Sequence, residues 1–396
     1  MNHIFFALSG LAFMTILIPH IGHAADEQKA RAYLAQRADA WIHKNNSLHV
    51  GDCMSCHTTL PLMLTTAVRG TGDAQWVRTR VEVRSLIEGR LKTWNDPVAP
   101  TRPWYGGIHA KGSRDTESVL NAVSLITADL ASPTHTLTDT ARSAIHVMIG
   151  QQNTDGGWTA LDYGLEPWES SRAHFWTSAM AGIALGQAAH ADAPLAMTAE
   201  FKNSVSLTRQ MLSATLSQMS AAMEENKHLN GHDTLMALWA NQRLGGILVS
   251  TQKDAFREAV FALQNLDGGF ALDHLMGPHA VKAPGPDHQA NPRNGRSDAY
   301  ATGLAVYVLR LSGTPLADPR LQRGAQWLVT QQGPQGAWPA DPLGSQNPFN
   351  QNIVRDAGVG YALLALDQMG MLQPLVNLPL PVTCPIGQAP AAGPHL

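Results

Sequence analysis

The sequence predicts an all-α protein, an (α/α)6 toroid in which six inner helices are ringed by six outer ones. Three observations carry that prediction. Polar markers recur at His57, Asp115, His174, Asp233, Asp298 and Asp356, a near-constant spacing of about 60 residues that signals a repeat architecture. After each marker runs a small-residue apolar segment, at 60–68, 119–130, 179–189, 235–244, 301–311 and 359–369, with too few charges to face water. Before each lies an amphipathic segment, at 28–44, 76–94, 138–152, 201–223, 252–264 and 321–332. The second of these sets Val81, Val83, Leu86 and Ile87 against Arg78, Arg80, Arg84 and Glu88 at helical spacing.

The connections add the third dimension. Those from inner to outer segments are short, as at 69–73 and 312–319, whereas 95–114, 153–170, 266–296 and 333–354 are long and rich in Gly, Pro and aromatics. Alternate connections in a toroid lie on opposite ends, so the long loops share one end, where function is expected.

The chain ends are of another kind. Residues 4–18 are an apolar run, followed by small residues up to Ala24 and Ala25 and then by the charged Asp26-Glu27-Gln28-Lys29. This pattern predicts a signal peptide over 1–24, cut after Ala24 or Ala25, and a periplasmic or otherwise exported protein. The run is shorter than the roughly 20 residues a spanning helix needs, which disfavours an uncleaved anchor. No integral membrane segment is expected in the mature chain. The toroid is expected to occupy 26–373 as one domain, with a Pro-rich tail over 374–396 that carries a lone thiol, Cys384. A net charge of -3 with interspersed signs offers nucleic acid no electrostatic footprint.

Three outer segments end in one phrase. Gln332 followed by Gly336-Ala337-Trp338 resembles the QW repeat of the squalene and oxidosqualene cyclase superfamily, which also holds the protein prenyltransferases. Gln152 to Trp158 and Gln264 to Phe270 are similar, each aromatic lying six residues after its Gln. The resemblance implies a squalene cyclase-like toroid in which these residues are structural staples. It does not imply the cyclase reaction, because the D-x-D-D-T-A acid motif is missing. The nearest stretches, His232-Asp233-Thr234 and Arg114-Asp115-Thr116, hold one carboxylate each beside a basic neighbour, and an adjacent cation makes a carboxyl a poorer acid. No Asp, Cys and His zinc set of the prenyltransferase kind is present either. Asp115, Asp233, Asp298 and Asp356 are expected to be helix N-caps.

Cys53-Met54-Ser55-Cys56-His57 matches the C-x-x-C-H attachment signature of c-type cytochromes. The match implies one covalent haem c, bound to Cys53 and Cys56 with His57 as proximal iron ligand. A Cys53–Cys56 disulfide with an incidental His is the plain alternative, and a thioredoxin-type redox pair would require a βαβ context. A sixth ligand would come from the long-loop end. His232 and His174 stand nearest the equivalent repeat positions, with His109, His274, His279, His288, Met54, Met63 and Met276 behind them. Arg114, Arg296 and Arg355 are candidates for pairing with propionates, and Trp104, Tyr105, Trp168, Trp176 and Phe349 for lining an apolar pocket.

The expected function is therefore a haem redox protein, either an enzyme acting on a hydrophobic small molecule or an electron carrier for a partner protein. The alternative is an isoprenoid-binding, cyclase-like or isomerising protein with structural cysteines. A polysaccharide lyase or glycosidase ranks last; it would need paired acids, and Asp162, Glu166 and Glu169 are the densest group on a long loop.

Overall fold

A computed structural model describes residues 24–43, 45–46, 49–50, 53–68, 73–96, 107–224, 230–277, 294–344 and 347–373. The expected signal peptide, the tail with Cys384, and Trp104, Tyr105, His279 and His288 lie outside the described residues. Among the described residues, twelve helices alternate outward and inward. The outer set is α1 (Glu27–Ile42), α3 (Ala74–Lys92), α5 (Asp139–Gly150), α7 (Ala199–Glu224), α9 (Ser250–Phe261) and α11 (Pro319–Gln331). The inner set is α2 (Thr59–Leu64), α4 (Ala110–Leu130), α6 (His174–Ala191), α8 (Gly231–Leu244), α10 (Ala299–Leu311) and α12 (Pro348–Met369). Short helices at Ala193–Ala196 and Leu272–Met276 and a two-residue antiparallel ladder, Asn45–Asn46 with His49–Val50, decorate the connections.

Each inner helix packs on the next, α2 on α4, α4 on α6, α6 on α8, α8 on α10, α10 on α12, and α12 back on α2, so the inner ring closes. Four of the outer helices, α1, α3, α5 and α11, begin where short polar residues cap them. Asp26, Asp73, Thr138 and Asp318 accept from the backbone N–H groups of Lys29, Trp76, Ala141 and Arg320.

The Gln and aromatic staples explain how neighbouring pairs are held. Gln152 donates to the carbonyl of Gly156 in its own turn and to the Ser204 carbonyl and Thr208 hydroxyl on α7, at 2.9, 3.2 and 3.0 Å. Gln264 repeats this with Gly268 and with Arg320 on α11, both at 2.8 Å. Gln332 reaches the start of the chain, donating to the Asp26 carbonyl at 2.9 Å and accepting from its N–H at 2.6 Å. Trp158 and Trp338 are buried and donate from Nε1 to Met148 and Leu328, each ten residues back on the helix just ended. At the middle of these turns Gly156, Gly268 and Gly336 take positive φ of 91, 92 and 85°. A Cβ on Gly336 would lie 2.3 Å from the Lys29 carbonyl carbon, so only glycine permits this approach.

Three of the four acidic caps expected on the inner helices need correction, because α4, α8 and α12 start earlier than their apolar runs. Asp298 is the N-cap of α10 and accepts from Ala301 N–H. Asp233 lies in the first turn of α8, whose cap is Asn230. Asp115 and Asp356 lie inside α4 and α12. Asp115 takes Lys111 Nζ at 2.7 Å and the Thr159 N–H at 2.9 Å. Asp356 serves the site below.

Candidate functional site

The turn that carries both cysteines is held by its own small side chains. Ser55 N–H donates to Thr59 Oγ1 at 2.8 Å, while Ser55 Oγ accepts from the N–H groups of Thr58 and Thr59 at 3.1 and 3.0 Å. Those bonds satisfy the first amides of α2 and fix Cys53, Cys56 and His57 against one hollow. The hollow measures about 270 Å³, or about 960 Å³ of unfilled space counted out to its mouth. Its walls are Trp41, Cys53 to His57, the α4 residues Ser113, Thr116, Glu117 and Leu120, the loop residues Leu161, Tyr163, Leu165 and Glu169, and Phe349. It lies at the long-loop end, as the connection lengths predict, and its lining is mostly apolar.

His57 is 2 % exposed and its orientation is determined. Trp41 meets it edge to face with centroids 4.8 Å apart, and Trp41 Nε1 donates to the Cys53 carbonyl at 3.2 Å. His57 Nδ1 lies 2.8 Å from Thr58 Oγ1, which donates to Asp356 Oδ2 at 2.9 Å. A hydroxyl has one proton, so the Thr58 oxygen accepts from His57 and the imidazole carries its hydrogen on Nδ1. Nε2 keeps its lone pair, and among the described residues it has no hydrogen-bond partner. Arg37 Nε bonds both Asp356 oxygens at 2.8 and 3.1 Å, and Tyr33 OH donates to Oδ1 at 3.2 Å. Burial, and then the charge of Arg37, push the His57 pKa down to about 3, so the ring is neutral.

The cysteines form no disulfide. Burial first, then the nearby Glu169 and Cys53, hold the buried Cys56 well above the ordinary thiol range. This is the reverse of the depressed pKa of a thioredoxin-type nucleophile, and that motif's βαβ setting is missing as well. Glu169, half-buried on the opposite wall, is pushed up to about 7 by desolvation. Glu117 is paired within the wall to buried Arg90.

The other sequence-predicted residues do not gather here. His232 is buried with Nε2 2.8 Å from Tyr300 OH, and His174 stands part-exposed, 3.5 Å from Asp155. Neither lines the hollow, and the rings of Trp168 and Tyr300 stand between His57 and His232. His109 stacks on Tyr163 at 4.7 Å, behind the lining. Met54 lines the hollow, whereas Met63 is core and Met276 sits on a short helix elsewhere. Arg114 lies over Trp94 and donates to Asn95, Arg355 donates to Asn352, and none of Arg114, Arg296 and Arg355 lines the hollow. Phe349 lines the hollow, Trp168 backs His57, and Trp176 is core. Asp162 and Glu166 line a separate pit of about 100 Å³, so they do not face Glu169 across one groove. Sequence reasoning missed Trp41, Arg37, Thr58 and the relay role of Asp356. Arg37 and Trp41, one turn apart on α1, were legible only as an amphipathic face.

No protein-family model and no curated protein matches the sequence. Among solved structures, a glycosidase variant matches with a TM-score of 0.50 at 14% identity, covering 88% of this chain and 99% of that one. A second variant, in complex with glucose, matches with a TM-score of 0.50 at 13% identity over the same shares. The ent-copalyl diphosphate synthase of Streptomyces platensis gives 0.47 at 15% identity over 78% of this chain, which spans 50% of that protein's length. At these identities the glycosidase likeness speaks for the fold alone. The ring of inner and outer helices and the glycosidase match together establish a helical toroid.

Proposed function

We propose that the chain is an exported c-type haem protein, a redox enzyme that acts on a hydrophobic small molecule in the hollow beside His57. The observation that carries this reading is the shared placement of two thiols and a neutral imidazole whose Nε2 lone pair is unpaired. The residues fit a covalent haem on three counts. Cys53, Cys56 and His57 line one hollow. Its lining is mostly apolar with a few polar groups, as cofactor sites are. The hydrogen on Nδ1 is held by a hydroxyl backed by a carboxylate, the outer arrangement that orients metal-bound histidines.

Haem bound there would supply one-electron chemistry at a coordinated iron. The protein's own residues do the rest. Thr58, Asp356 and Arg37 hold the His57 ring in one orientation, with its hydrogen on Nδ1 and its Nε2 lone pair available to a metal. Trp41, Leu120, Leu161, Leu165 and Phe349 exclude water and favour an apolar substrate. Glu169, with its carboxyl near neutrality, can hold or release a proton across the hollow at ordinary pH. Neither His232 nor His174 lines the hollow, whereas Met54 does; an open iron position would favour an enzyme, and a firm bond from Met54 an electron carrier.

The test is expression with the haem-attachment machinery. A covalent haem band should survive denaturation and disappear in the Cys53→Ser, Cys56→Ser double variant, and carbon monoxide should shift the reduced spectrum. Absence of the covalent band overturns the reading.

A further inference from the structure

Behind His57 the interior of the ring is filled by aromatic side chains rather than left open. Trp168 lies 6.2 Å from His57, centroid to centroid, and 4.8 Å from Tyr300 in an edge-to-face contact. Tyr300 in turn meets Tyr361 at 5.2 Å. Trp168, Tyr300 and His232 are 1, 0 and 1 % exposed. Burial of this kind requires partners for the polar tips, and the partners found have a direction.

Trp168 Nε1 is 3.1 Å from Tyr300 OH, and an indole N–H can only donate. The phenol oxygen therefore accepts from Trp168, and its own hydrogen points to His232 Nε2 at 2.8 Å. His232 must then carry its hydrogen on Nδ1 and offer a lone pair from Nε2. On the Nδ1 side Asp233 Oδ1 lies 3.7 Å away, too far for a strong hydrogen bond. A phenol, a base waiting for its proton, and a carboxylate behind that base stand in line. On the other side an indole connects the phenol to the ring of His57.

We propose that Tyr300, paired with His232, is a redox-active tyrosine that surrenders an electron through Trp168 to the cofactor site at His57. The proposal rests on the haem reading. Oxidation of a buried phenol leaves a proton that must go somewhere, because a phenol radical cation in an apolar interior carries an uncompensated charge. Here the proton crosses to His232 Nε2. The phenol O–H bond breaks, the imidazole N–H bond forms, Tyr300 becomes a neutral radical, and the imidazolium is balanced by Asp233. The oxidant is a peroxide. Its O–O bond breaks, and with two electrons and two solvent protons it leaves as two waters. One electron comes from Tyr300 and the other from the cofactor, so the pair stores one oxidising equivalent away from the substrate hollow.

Haem-loaded protein should be mixed with hydrogen peroxide, frozen and read by electron paramagnetic resonance. A tyrosyl signal is expected, narrowed by ring-deuterated tyrosine and lost in Tyr300→Phe. It should also be lost in His232→Gln, where the side chain still accepts a hydrogen bond but cannot take the proton. Tyr361→Phe should retain it. An undiminished signal in Tyr300→Phe or His232→Gln, its loss in Tyr361→Phe, or no signal from haem-loaded wild type overturns the proposal. If no covalent haem forms, the functional reading fails instead. Flash oxidation of the full chain with a photo-oxidised ruthenium polypyridyl complex then tests the pair directly. It should give the same Tyr300-dependent radical, and a wild type without it again overturns the proposal.

Discussion

The first inner helix and the other five are built differently, and the hollow lies where they differ. α2 has 6 residues, while α4, α6, α8, α10 and α12 have 21, 18, 14, 13 and 22. Where another inner helix would extend toward the long loops, the first pair has the cysteine turn, closed by Ser55 and Thr59. The neighbours α4 and α12 run on past it, and residues from their N-terminal portions become walls. Elsewhere in the ring the Gln and aromatic joints at Gln152, Gln264 and Gln332 tie neighbouring pairs together. One region has been optimised for packing, and the other leaves a space beside reactive side chains.

The sharpest way to break that contrast is to remove a ring from each. Trp158→Ala empties a fully buried joint and should destabilise by about 3–5 kcal/mol in chemical denaturation. Trp41→Ala removes a half-buried ring already facing unfilled space and should cost about 1 kcal/mol. Equal costs would mean that the hollow is as tightly packed as the joints.

Glu169 separates the two regions by pH. Its carboxyl is raised from 4.5 to about 7 in the folded chain. Between those values the folded state holds a proton that the unfolded state has lost, so stability falls as pH rises through this window and is constant above it. Glu169→Gln should leave stability unchanged near pH 4 and raise it near pH 8, by up to about 3 kcal/mol in the haem-free protein. Equal effects at both pH values would contradict an acid held neutral by burial.

Gly336 tests the joints from the backbone. Gly336→Ala places a methyl at positive φ against the Lys29 carbonyl, and should cost about 1–3 kcal/mol. Gly150→Ala, at the end of α5 with nothing within 4 Å, should instead be neutral or stabilise by about 0.5 kcal/mol. Thermal denaturation of the two variants reads the difference.

What could be read in advance follows the same division. The joints were legible because Gln264, Gly268 and Phe270 act within one short turn, and a local phrase keeps its meaning wherever it falls. Cys53, Cys56 and His57 were legible for the same reason. The relay was not, because Thr58 and Asp356 are 298 residues apart and only ring closure brings them together. Asp356 was misread as a cap since the apolar run appears to open at Val359, whereas α12 begins at Pro348. The polar first turns of α4 and α12 fold as helix because their buried side chains find partners on neighbouring pairs, which no local pattern reveals. His232 and His174 occupy equivalent positions in the repeat, but equivalence gives a height on the ring and not the neighbour a side chain will meet.

The smallest expected effect asks whether all joints are alike. Gln264 and Gln332 make comparable bonds, and replacing either with Ala should cost about 1–2 kcal/mol. Gln264 joins α9 to α11, two elements held in place by pairs on both sides. Gln332 joins α11 to the cap of α1, across 306 residues of chain. Beyond it the seam has the short bridge in which Ala25 N–H donates to the Met371 carbonyl and Gln373 N–H to that of Ala25. With α1 come Arg37 and Trp41, so the seam also positions His57. Gln332→Ala should therefore speed amide hydrogen exchange throughout α1 and loosen the cysteine turn, while Gln264→Ala should raise exchange only in its own turn. If both variants open the same distance along the chain, the seam is an ordinary joint, and the site does not depend on how the ring closes.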